Sequence, residues 1–259
     1  MEELIEKIVS KKELSSIDRD FARKILDETI SENRAVFEVL EEKKFNQKSK
    51  EFDLIVKKTR KKLRNYFGSY NASINPLKKK SLREEIVKKH LSTRERLGHI
   101  KEFAEFIGAV KSVLDLGCGY NPYFYDYLIG RPKYLASDIS LDLNNIKAFF
   151  EEKGIDGDIV KLDLTLDKDL EILGRISADF ETTLLLKVVD PLEMQQRNIT
   201  KKVLESIKSK YLVVSFSTTS ISGKTKMKTE RKWFYELIKD KKHEEIELGN
   251  EKYIKILNC

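Results

Sequence analysis

The chain has 259 residues, of which 40% are hydrophobic and 36% charged, with a formal net charge of +7. This composition supports a folded core and excludes global disorder, and no apolar run approaches the roughly 20 residues that cross a bilayer. Two cysteines, Cys118 and Cys259, provide neither a disulfide framework nor a metal cluster, so we expect no metal and a reducing cytoplasm. The charged start, MEELIEKIV, predicts a surface helix and not a signal peptide.

The positive charge is concentrated in one part of the chain. Residues 41–100 hold 18 Lys and Arg against 7 Asp and Glu, whereas residues 1–40 hold 7 against 10. Such a local excess favours a polyanionic partner, and nucleic acid above all, over a merely solvated lysine-rich surface. The high Lys and Glu content, with only three glutamines, also suggests a thermophilic source.

The first hundred residues show helical spacing of apolar residues. Four helices are predicted in MEELIEKIV, IDRDFARKILDETI, RAVFEVLEEKKF and FDLIVKKTRKKLRNYFGSY, with Ser16 or Asp18 capping the second and Ser31 the third. After a turn at NASINP, a basic helix, LKKKSLREEIVKKHL, and a further helix, TRERLGHIKEFAEFIGAV, are expected. We therefore predict a helical, basic, RNA-binding domain over residues 1–105.

After residue 110, short apolar runs alternate with candidate helices. SVLDLG, KYLASDIS, DIVKLDL, TTLLLKVV and YLVVSFS suit parallel strands covered on both faces, and helices are predicted at 121–130, 142–153, 167–174, 191–208 and 229–241. EEIELGNEKYIKIL predicts a hairpin that turns at Gly249-Asn250. A doubly wound α/β (Rossmann-like) domain whose parallel sheet ends in an antiparallel strand is the arrangement of class I methyltransferases, so residues 106–259 are predicted to be that domain.

The stretch VLDLGCGYNP combines a strand with a glycine turn. Gly117 and Gly119 let a ligand approach the backbone closely, and Asn121 and Pro122 predict the cap and first turn of a helix. A dinucleotide-binding turn would carry a third glycine. Asp115, just before the turn, is unsuited to pyrophosphate but suits the cationic amino group of S-adenosylmethionine, directly or through water.

Two further acids follow the next two predicted strands. Asp138 lies 19 residues after Gly119 and is placed to accept both ribose hydroxyls, a feature shared by NAD and S-adenosylmethionine sites. Asp163, followed by Leu164, stands where methyltransferases place an acid for the adenine amino group. Ordinary turn or cap aspartates are the alternative explanation, most readily for Asp163.

Four stretches together resemble one known family: HLSTRERL, DLGCGYNP, TTLLLKVVDPLEMQQ and VVSFSTTSISGK. They are similar to the aminoglycoside-resistance 16S ribosomal RNA guanine-N7 methyltransferases of the FmrO/Arm/Rmt type, from about residue 88 to the end. The Asn-Pro after the second glycine belongs to that family's form of the motif. The resemblance implies an S-adenosylmethionine-dependent RNA methyltransferase, here in a thermophilic or archaeal housekeeping relative, acting on ribosomal or transfer RNA.

The resemblance also implies roles for individual residues. Arg94 would hold the cofactor carboxylate, supported by Ser92 and Thr93, with His90 lining the same entry; a surface arginine in a capping box is the alternative. Gln196, in a Glu193-x-x-Gln196 pattern, would approach the methionine moiety. Lys187 would lie at the mouth of the active site as a positioning residue; it is otherwise a lysine at a strand end. The cofactor-binding set is therefore His90, Ser92, Thr93, Arg94, Asp115, Gly117, Gly119, Asp138, Asp163, Leu164 and Gln196.

The RNA-binding prediction rests on lysines and arginines. Guanine N7 attacks through a lone pair, so the reaction requires no general base. None is evident in the sequence. The residues expected to contact RNA are Lys61, Lys62, Arg64, Lys78, Lys79, Lys80, Lys224, Lys226 and Lys228. The last three interrupt a glycine-rich run that the family usually carries, so the RNA target can differ. We expect a cytoplasmic monomer with no membrane partner.

Three other functions remain open. A protein or small-molecule methyltransferase would leave the basic region without a role. A non-catalytic RNA-binding or ribosome assembly factor would keep the fold without transferring methyl groups. An NAD-dependent oxidoreductase is disfavoured by the missing third glycine and by the STRER stretch.

Overall fold

The computed structural model describes residues 1–11, 14, 17–67, 95–139, 143–219 and 230–258. The chain forms two compact units, one of residues 1–74 with 140–142 and one of residues 75–139 with 143–259. A helix at Ile100–Ile107, assigned from the sequence to the helical region, has its apolar side chains in the core of the second unit. The functional division at residue 105 stays a prediction.

The first unit is helical, as its apolar spacing predicts. Its helices are α1 (Glu2–Val9), α2 (Arg19–Glu32), α3 (Arg34–Glu42) and α4 (Lys50–Phe67). Helix α4 contacts the other three, and its buried Phe52, Ile55 and Leu63 lie in the apolar interior. The carboxylate of Asp18 caps α2 by accepting a hydrogen bond from the Phe21 N–H at 3.0 Å. The expected Ser31 cap is wrong, because α2 continues through Ser31 and α3 starts after Asn33.

The second unit alternates strands and helices. Its strands are β1 (Ser112–Leu116), β2 (Lys133–Ser137), β3 (Gly157–Val160), β4 (Thr182–Leu186), β5 (Tyr211–Ser217), β6 (His243–Leu248) and β7 (Glu251–Leu257). Its helices are α5 (Ile100–Ile107), α6 (Asn144–Lys153), α7 (Asp167–Ser177), α8 (Val189–Gln195), α9 (Ile199–Ser206) and α10 (Lys232–Ile238), with a 3₁₀ helix at Asn121–Tyr127. The single helix predicted over 191–208 is two helices, because Asn198 adopts a left-handed conformation between them.

The sheet has the order β3-β2-β1-β4-β5-β7-β6. Strands β1 to β5 pair in parallel, and β7 pairs antiparallel with both β5 and β6. The β6–β7 hairpin turns at Gly249-Asn250, where Gly249 has a φ of +58°. The predicted fold class, a doubly wound α/β sheet with an antiparallel last strand, is confirmed.

Helices cover both faces of the sheet. Alternate residues of β4 and β5 pack on opposite sides: Leu184 and Val213 in one apolar cluster, Leu185 and Val214 in the other. This explains the near-continuous apolar runs of the inner strands. The parallel strands all end at one edge, which we call the carboxyl edge, and loops there are the usual place for a ligand in such sheets. Within the described residues, no helix is long and apolar enough to cross a membrane.

Candidate functional site at the carboxyl edge of the sheet

The glycine turn follows β1 at the carboxyl edge. Gly117 and Gly119 have φ values of +63° and +51°, in the left-handed region that favours glycine. A Cβ on Gly117 would lie 2.6 Å from Cγ2 of Val188, so the turn also needs glycine for packing. Between the glycines, the Cys118 N–H donates to the Ser137 carbonyl at 2.9 Å, and burial raises the pKa of the Cys118 thiol well above its usual value. Cys118 is thus a buried structural residue.

Asp138 lies beside this turn, as the sequence predicts from its place after β2. One of its carboxylate oxygens accepts a hydrogen bond from the Gly119 N–H at 3.0 Å. The residue is 8% exposed. The structure therefore brings the second glycine and an acid together, and a ligand bound over the glycine backbone would meet a carboxylate.

Asp115 is held by protein groups beneath the same turn. It has no solvent exposure, accepts a hydrogen bond from the Tyr134 hydroxyl at 2.6 Å, and accepts from the side-chain amide of Asn121 at 3.2 Å. Burial raises the pKa of Asp115 to about 6, and the two hydrogen bonds only partly oppose that rise. Its predicted contact with a cofactor amino group stays a prediction; its observed partners fix the base of the turn.

Asn121 does not cap a helix as expected. The 3₁₀ helix begins at Asn121 itself, with Pro122 in its first turn, and the residue at the cap position is Tyr120. The Asn121 amide instead bridges two charged side chains. Its nitrogen donates to Asp115, and its oxygen accepts a hydrogen bond from the guanidinium of Arg96. The cap prediction is wrong because the side chain has a stronger, charged pair of partners.

Arg96 continues this bridge into a buried ion pair that sequence reasoning missed. Its guanidinium lies 2.7 Å from the carboxylate of Glu251, the first residue of β7, and each side chain is 2% exposed. Arg96 also donates to the Tyr253 hydroxyl at 3.2 Å and lies over the Phe103 ring. Burial alone would raise the pKa of Glu251, but Arg96 and Lys187 outweigh it and lower that pKa. The two partners are 155 residues apart in the chain, so no local pattern connects them.

Lys187 joins the same network from the end of β4. It has a φ of +58°, an unusual conformation for a residue with a side chain. Its N–H donates to the Ser215 hydroxyl at 3.0 Å, while its ammonium lies 2.9 Å from Glu95 and 3.3 Å from Glu251. The predicted positioning residue is thus a charged member of the buried network.

The remaining predicted acids and amides at this edge have local partners. Asp163 lies three residues beyond the end of β3 and accepts hydrogen bonds from the N–H and hydroxyl of Thr165 at 3.0 and 2.6 Å. The neighbouring Leu164 is 7% exposed and belongs to one apolar core cluster. Gln196 is exposed after α8, and Glu193 accepts from two backbone N–H groups at the start of α9, at 2.8 Å each. Their cofactor roles stay predictions.

The start of helix α8, which follows β4, is held by a second ion pair. The Asp190 carboxylate receives two hydrogen bonds from the Arg231 guanidinium, at 2.6 and 3.0 Å. Arg231 also donates to the Ser217 carbonyl at 3.2 Å and lies 4.4 Å above the Phe216 ring. Asp190 therefore connects the first turn of α8 to Arg231, the residue before α10.

Several predicted site residues lie outside the described residues, and these are His90, Ser92, Thr93, Arg94, Lys78, Lys79, Lys80, Lys224, Lys226 and Lys228. The other predicted RNA contacts are on α4. Lys61 and Arg64 are exposed, whereas Lys62 lies 2.6 Å from Glu32 of α2. Exposed positions on α4 recur at three- and four-residue intervals, and these we call the α4 stripe: Lys50, Leu54, Lys57, Lys61 and Arg64.

Two surface grooves lie elsewhere in the second unit. Both are lined by residues of α9, including Glu205, and by Lys208 just before β5. They are thus near the amino end of β5, opposite the glycine turn, and we assign them no part in the site. Across the part of the chain that the structure describes, no group of three or more His, Cys, Asp and Glu residues is arranged to hold a metal ion.

Comparison with known proteins agrees with this geometry. The family model described as Ribosomal RNA methyltransferase (FmrO) matches residues 71–254. A 16S rRNA (guanine(1405)-N(7))-methyltransferase of Frankia casuarinae is 32% identical over 144 residues, which are 53% of this chain and 49% of that protein. The enzyme of the same description from Micromonospora echinospora is 32% identical over 144 residues, 53% of this chain and 50% of its own. The chain thus matches about half the length of these curated relatives.

A solved structure extends the similarity over both units. The 16S rRNA methyltransferase RmtF, crystallised in complex with S-adenosyl-L-homocysteine, superposes with a TM-score of 0.74 over 99% of this chain and 97% of its own. The identity is 19%, so this similarity shows a shared fold.

Proposed function

Because the chain belongs to the ribosomal RNA methyltransferase (FmrO) family, we propose that it transfers a methyl group from S-adenosylmethionine to guanine N7 of ribosomal RNA. The observation that carries the proposal is the glycine turn paired with Asp138 at the carboxyl edge, inside the segment that matches the family. The curated relatives are named for this reaction.

The residues at the turn have the chemistry that S-adenosylmethionine requires. Gly117 and Gly119 offer a backbone without Cβ atoms, and the Asp138 carboxylate beside Gly119 would accept ribose hydroxyls. Asp163 and Leu164 would serve the adenine and Gln196 the methionine moiety; their support is their place after β3 and after α8. When bound, the cofactor supplies an electrophilic methyl group on a sulfonium.

The protein's contribution to this chemistry is mainly positioning. Guanine N7 carries a free lone pair, so no side chain has to remove a proton before attack. The site must hold the base in line with the methyl group, and it must do so with the base out of the helical stack. The methylated ring becomes cationic, so a carboxylate such as Glu95, beside Lys187 at the end of β4, would stabilise the developing charge.

RNA binding is assigned to the α4 stripe of the first unit, together with the predicted lysines outside the described residues. Lys57, Lys61 and Arg64 repeat on one exposed face of α4, which suits contact with successive phosphates. Phosphate contacts hold and orient the RNA without reading its sequence. Ribosomal RNA would be the partner of such an enzyme, and the cytoplasm would be its place of action.

The proposal is tested by following radiolabelled methyl transfer from S-adenosylmethionine. Separate substrates would be small ribosomal subunits, naked ribosomal RNA, transfer RNA and protein, followed by nucleoside mass spectrometry. We expect 7-methylguanosine in the small-subunit RNA. Label in transfer RNA, in protein, or at another base atom would contradict the proposed substrate.

Two aspartate variants make the test specific. Asp138→Ala removes the carboxylate beside Gly119 and should abolish transfer by weakening cofactor binding. Asp158→Ala is the matched control, since Asp158 is an exposed acid of β3 paired with Lys147 at 3.3 Å. Equal activity of the two variants would contradict the role assigned to Asp138.

A further inference from the structure

The glycine turn is connected to β7 by a path of hydrogen-bonded side chains, in which the half-buried Asn121 joins buried charged groups. Glu251 on β7 binds Arg96 at 2.7 Å; Arg96 donates to the Asn121 oxygen; the Asn121 nitrogen donates to Asp115 at 3.2 Å. Arg96, Asp115 and Glu251 are each at most 3% exposed. Water therefore cannot easily replace the protein partners of these three charged groups.

Asn121 is the one member of this path whose chemistry is asymmetric. An amide presents an acceptor to the cation on one side and a donor to the anion on the other. An aspartate at position 121 would face the Asp115 carboxylate with a second anion, and an alanine or glycine would leave a gap. The path thus specifies asparagine at this position.

We propose that Asn121 is a positioning residue for cofactor binding: its amide carries the orientation set by the Glu251–Arg96 pair to Asp115, and so fixes the glycine turn. The cofactor part of this inference rests on the proposed function. The path acts through backbone placement, because Asp115 is the next-to-last residue of β1 and stands two residues before Gly117.

The expected consequence is a change in binding and not in the chemical step. With the turn misplaced, the affinity for the cofactor should fall while the reacting atoms remain untouched. In Asn121→Asp we expect the Kd for S-adenosylhomocysteine and the KM for S-adenosylmethionine to rise at least about tenfold, with kcat little changed.

Two further variants separate positioning from loss of stability. The double variant Arg96→Met with Glu251→Gln removes a buried cation and a buried anion together. It should therefore be more stable than either single variant. Its Asn121 oxygen still lacks a donor, so the raised Kd should persist.

Ser209→Ala is the stability control. It removes a buried hydroxyl that lies 2.6 Å from Thr183 and 2.9 Å from the Ser177 carbonyl, near the amino end of β5. It should lower stability without changing the Kd.

The experiment is calorimetric titration of the full chain with S-adenosylhomocysteine, together with unfolding and amide hydrogen exchange without ligand. The Cys118 and Gly119 amides, which donate to Ser137 and Asp138, should exchange faster in Asn121→Asp and in the double variant but not in Ser209→Ala. Unchanged exchange in Asn121→Asp, or a Kd that follows stability across all variants, overturns the inference. If the wild-type chain binds no S-adenosylhomocysteine, the proposed function fails, and the exchange rates still decide whether Asn121 positions the turn.

Discussion

The two units use similar ion pairs in different surroundings. In the sheet unit, Arg96 lies 2.7 Å from Glu251 and both side chains are 2% exposed. In the helical unit, Arg19 lies 2.6 Å from Glu2 and both side chains are 56% exposed. The distances are nearly equal, so geometry does not distinguish them.

Burial determines what each pair does. Water and salt screen the exposed pair, which therefore contributes little and leaves its charges available to a partner. The buried pair has given up hydration, and each charge depends on its protein partner. The comparison therefore predicts that charges serve as binding groups in the helical unit and as geometric constraints at the glycine turn.

Removal of Arg96 should have the largest effect on stability. Arg96→Met leaves Glu251 buried with Lys187 as its remaining cation, and should lower the free energy of unfolding by about 3–5 kcal/mol. The control is Arg19→Met, which removes an exposed partner and should not shift the urea midpoint measurably. Equal shifts in the two variants would show that burial does not separate the pairs.

Two buried carboxylates should respond to pH in opposite directions. Glu251 faces two cations and has a lowered pKa, so its stabilisation is lost as pH falls. Asp115 has mainly neutral donors, and burial raises its pKa from 3.8 to about 6. Between these pH values Asp115 is ionised in the unfolded chain but still protonated in the folded one. Rising pH therefore favours unfolding through Asp115.

The Asp115 contribution should be about 3 kcal/mol, which is the size of a pKa shift of about two units. It is fully present below pH 3.8 and lost as the pH rises to about 6. The measurement is urea unfolding from pH 4 to pH 7 for wild type and Asp115→Asn. The free energy of unfolding of Asp115→Asn, minus that of wild type, should rise over this range and then level off. A difference that stays constant with pH would contradict the raised pKa of Asp115.

A matched pair of glycines extends the contrast to the backbone. Gly117 and Gly154 have φ values of +63° and +61°, but a Cβ on Gly117 would meet Val188 at 2.6 Å, whereas Gly154 has nothing within 4 Å. Alanine at either position adds strain of about 1–2 kcal/mol. At Gly117 only, overlap of the new Cβ with Val188 should cost about 2 kcal/mol of stability in addition. Thermal or urea unfolding of the two alanine variants measures the difference; equal losses would mean that Val188 moves aside at no cost.

Much of the fold follows from local patterns in the sequence. The parallel strands, the covering helices and the hairpin at Gly249-Asn250 were predicted from apolar runs and one turn signal. The proximity of Asp138 to the glycine turn also followed, because neighbouring parallel strands end at the same edge.

The buried network was not predicted, for a physical reason. Arg96 and Glu251 lie in ordinary charged stretches, and only sheet formation brings β7 close to Arg96. Asn121 shows the same limit: an asparagine before a proline is a common helix start, and its bridging role depends on partners that the sequence does not show together. The signal available was Arg96, the second arginine of STRER, two residues after the arginine assigned to the cofactor.

The smallest expected effect concerns the exposed charges of the helical unit. If they bind phosphates, Lys61→Gln with Arg64→Gln should lower RNA affinity about tenfold near physiological salt and reduce the slope of log K against log salt by about two. The fold should be unaffected, since both side chains are exposed on α4. Filter binding to small-subunit RNA at several salt concentrations measures both quantities.

The control is Lys168→Gln with Lys201→Gln, which removes the same total charge from exposed positions on α7 and α9. A slope that falls equally in both variants would assign the effect to net charge, and the α4 stripe would then be a solvated surface like the exposed ion pair of Arg19.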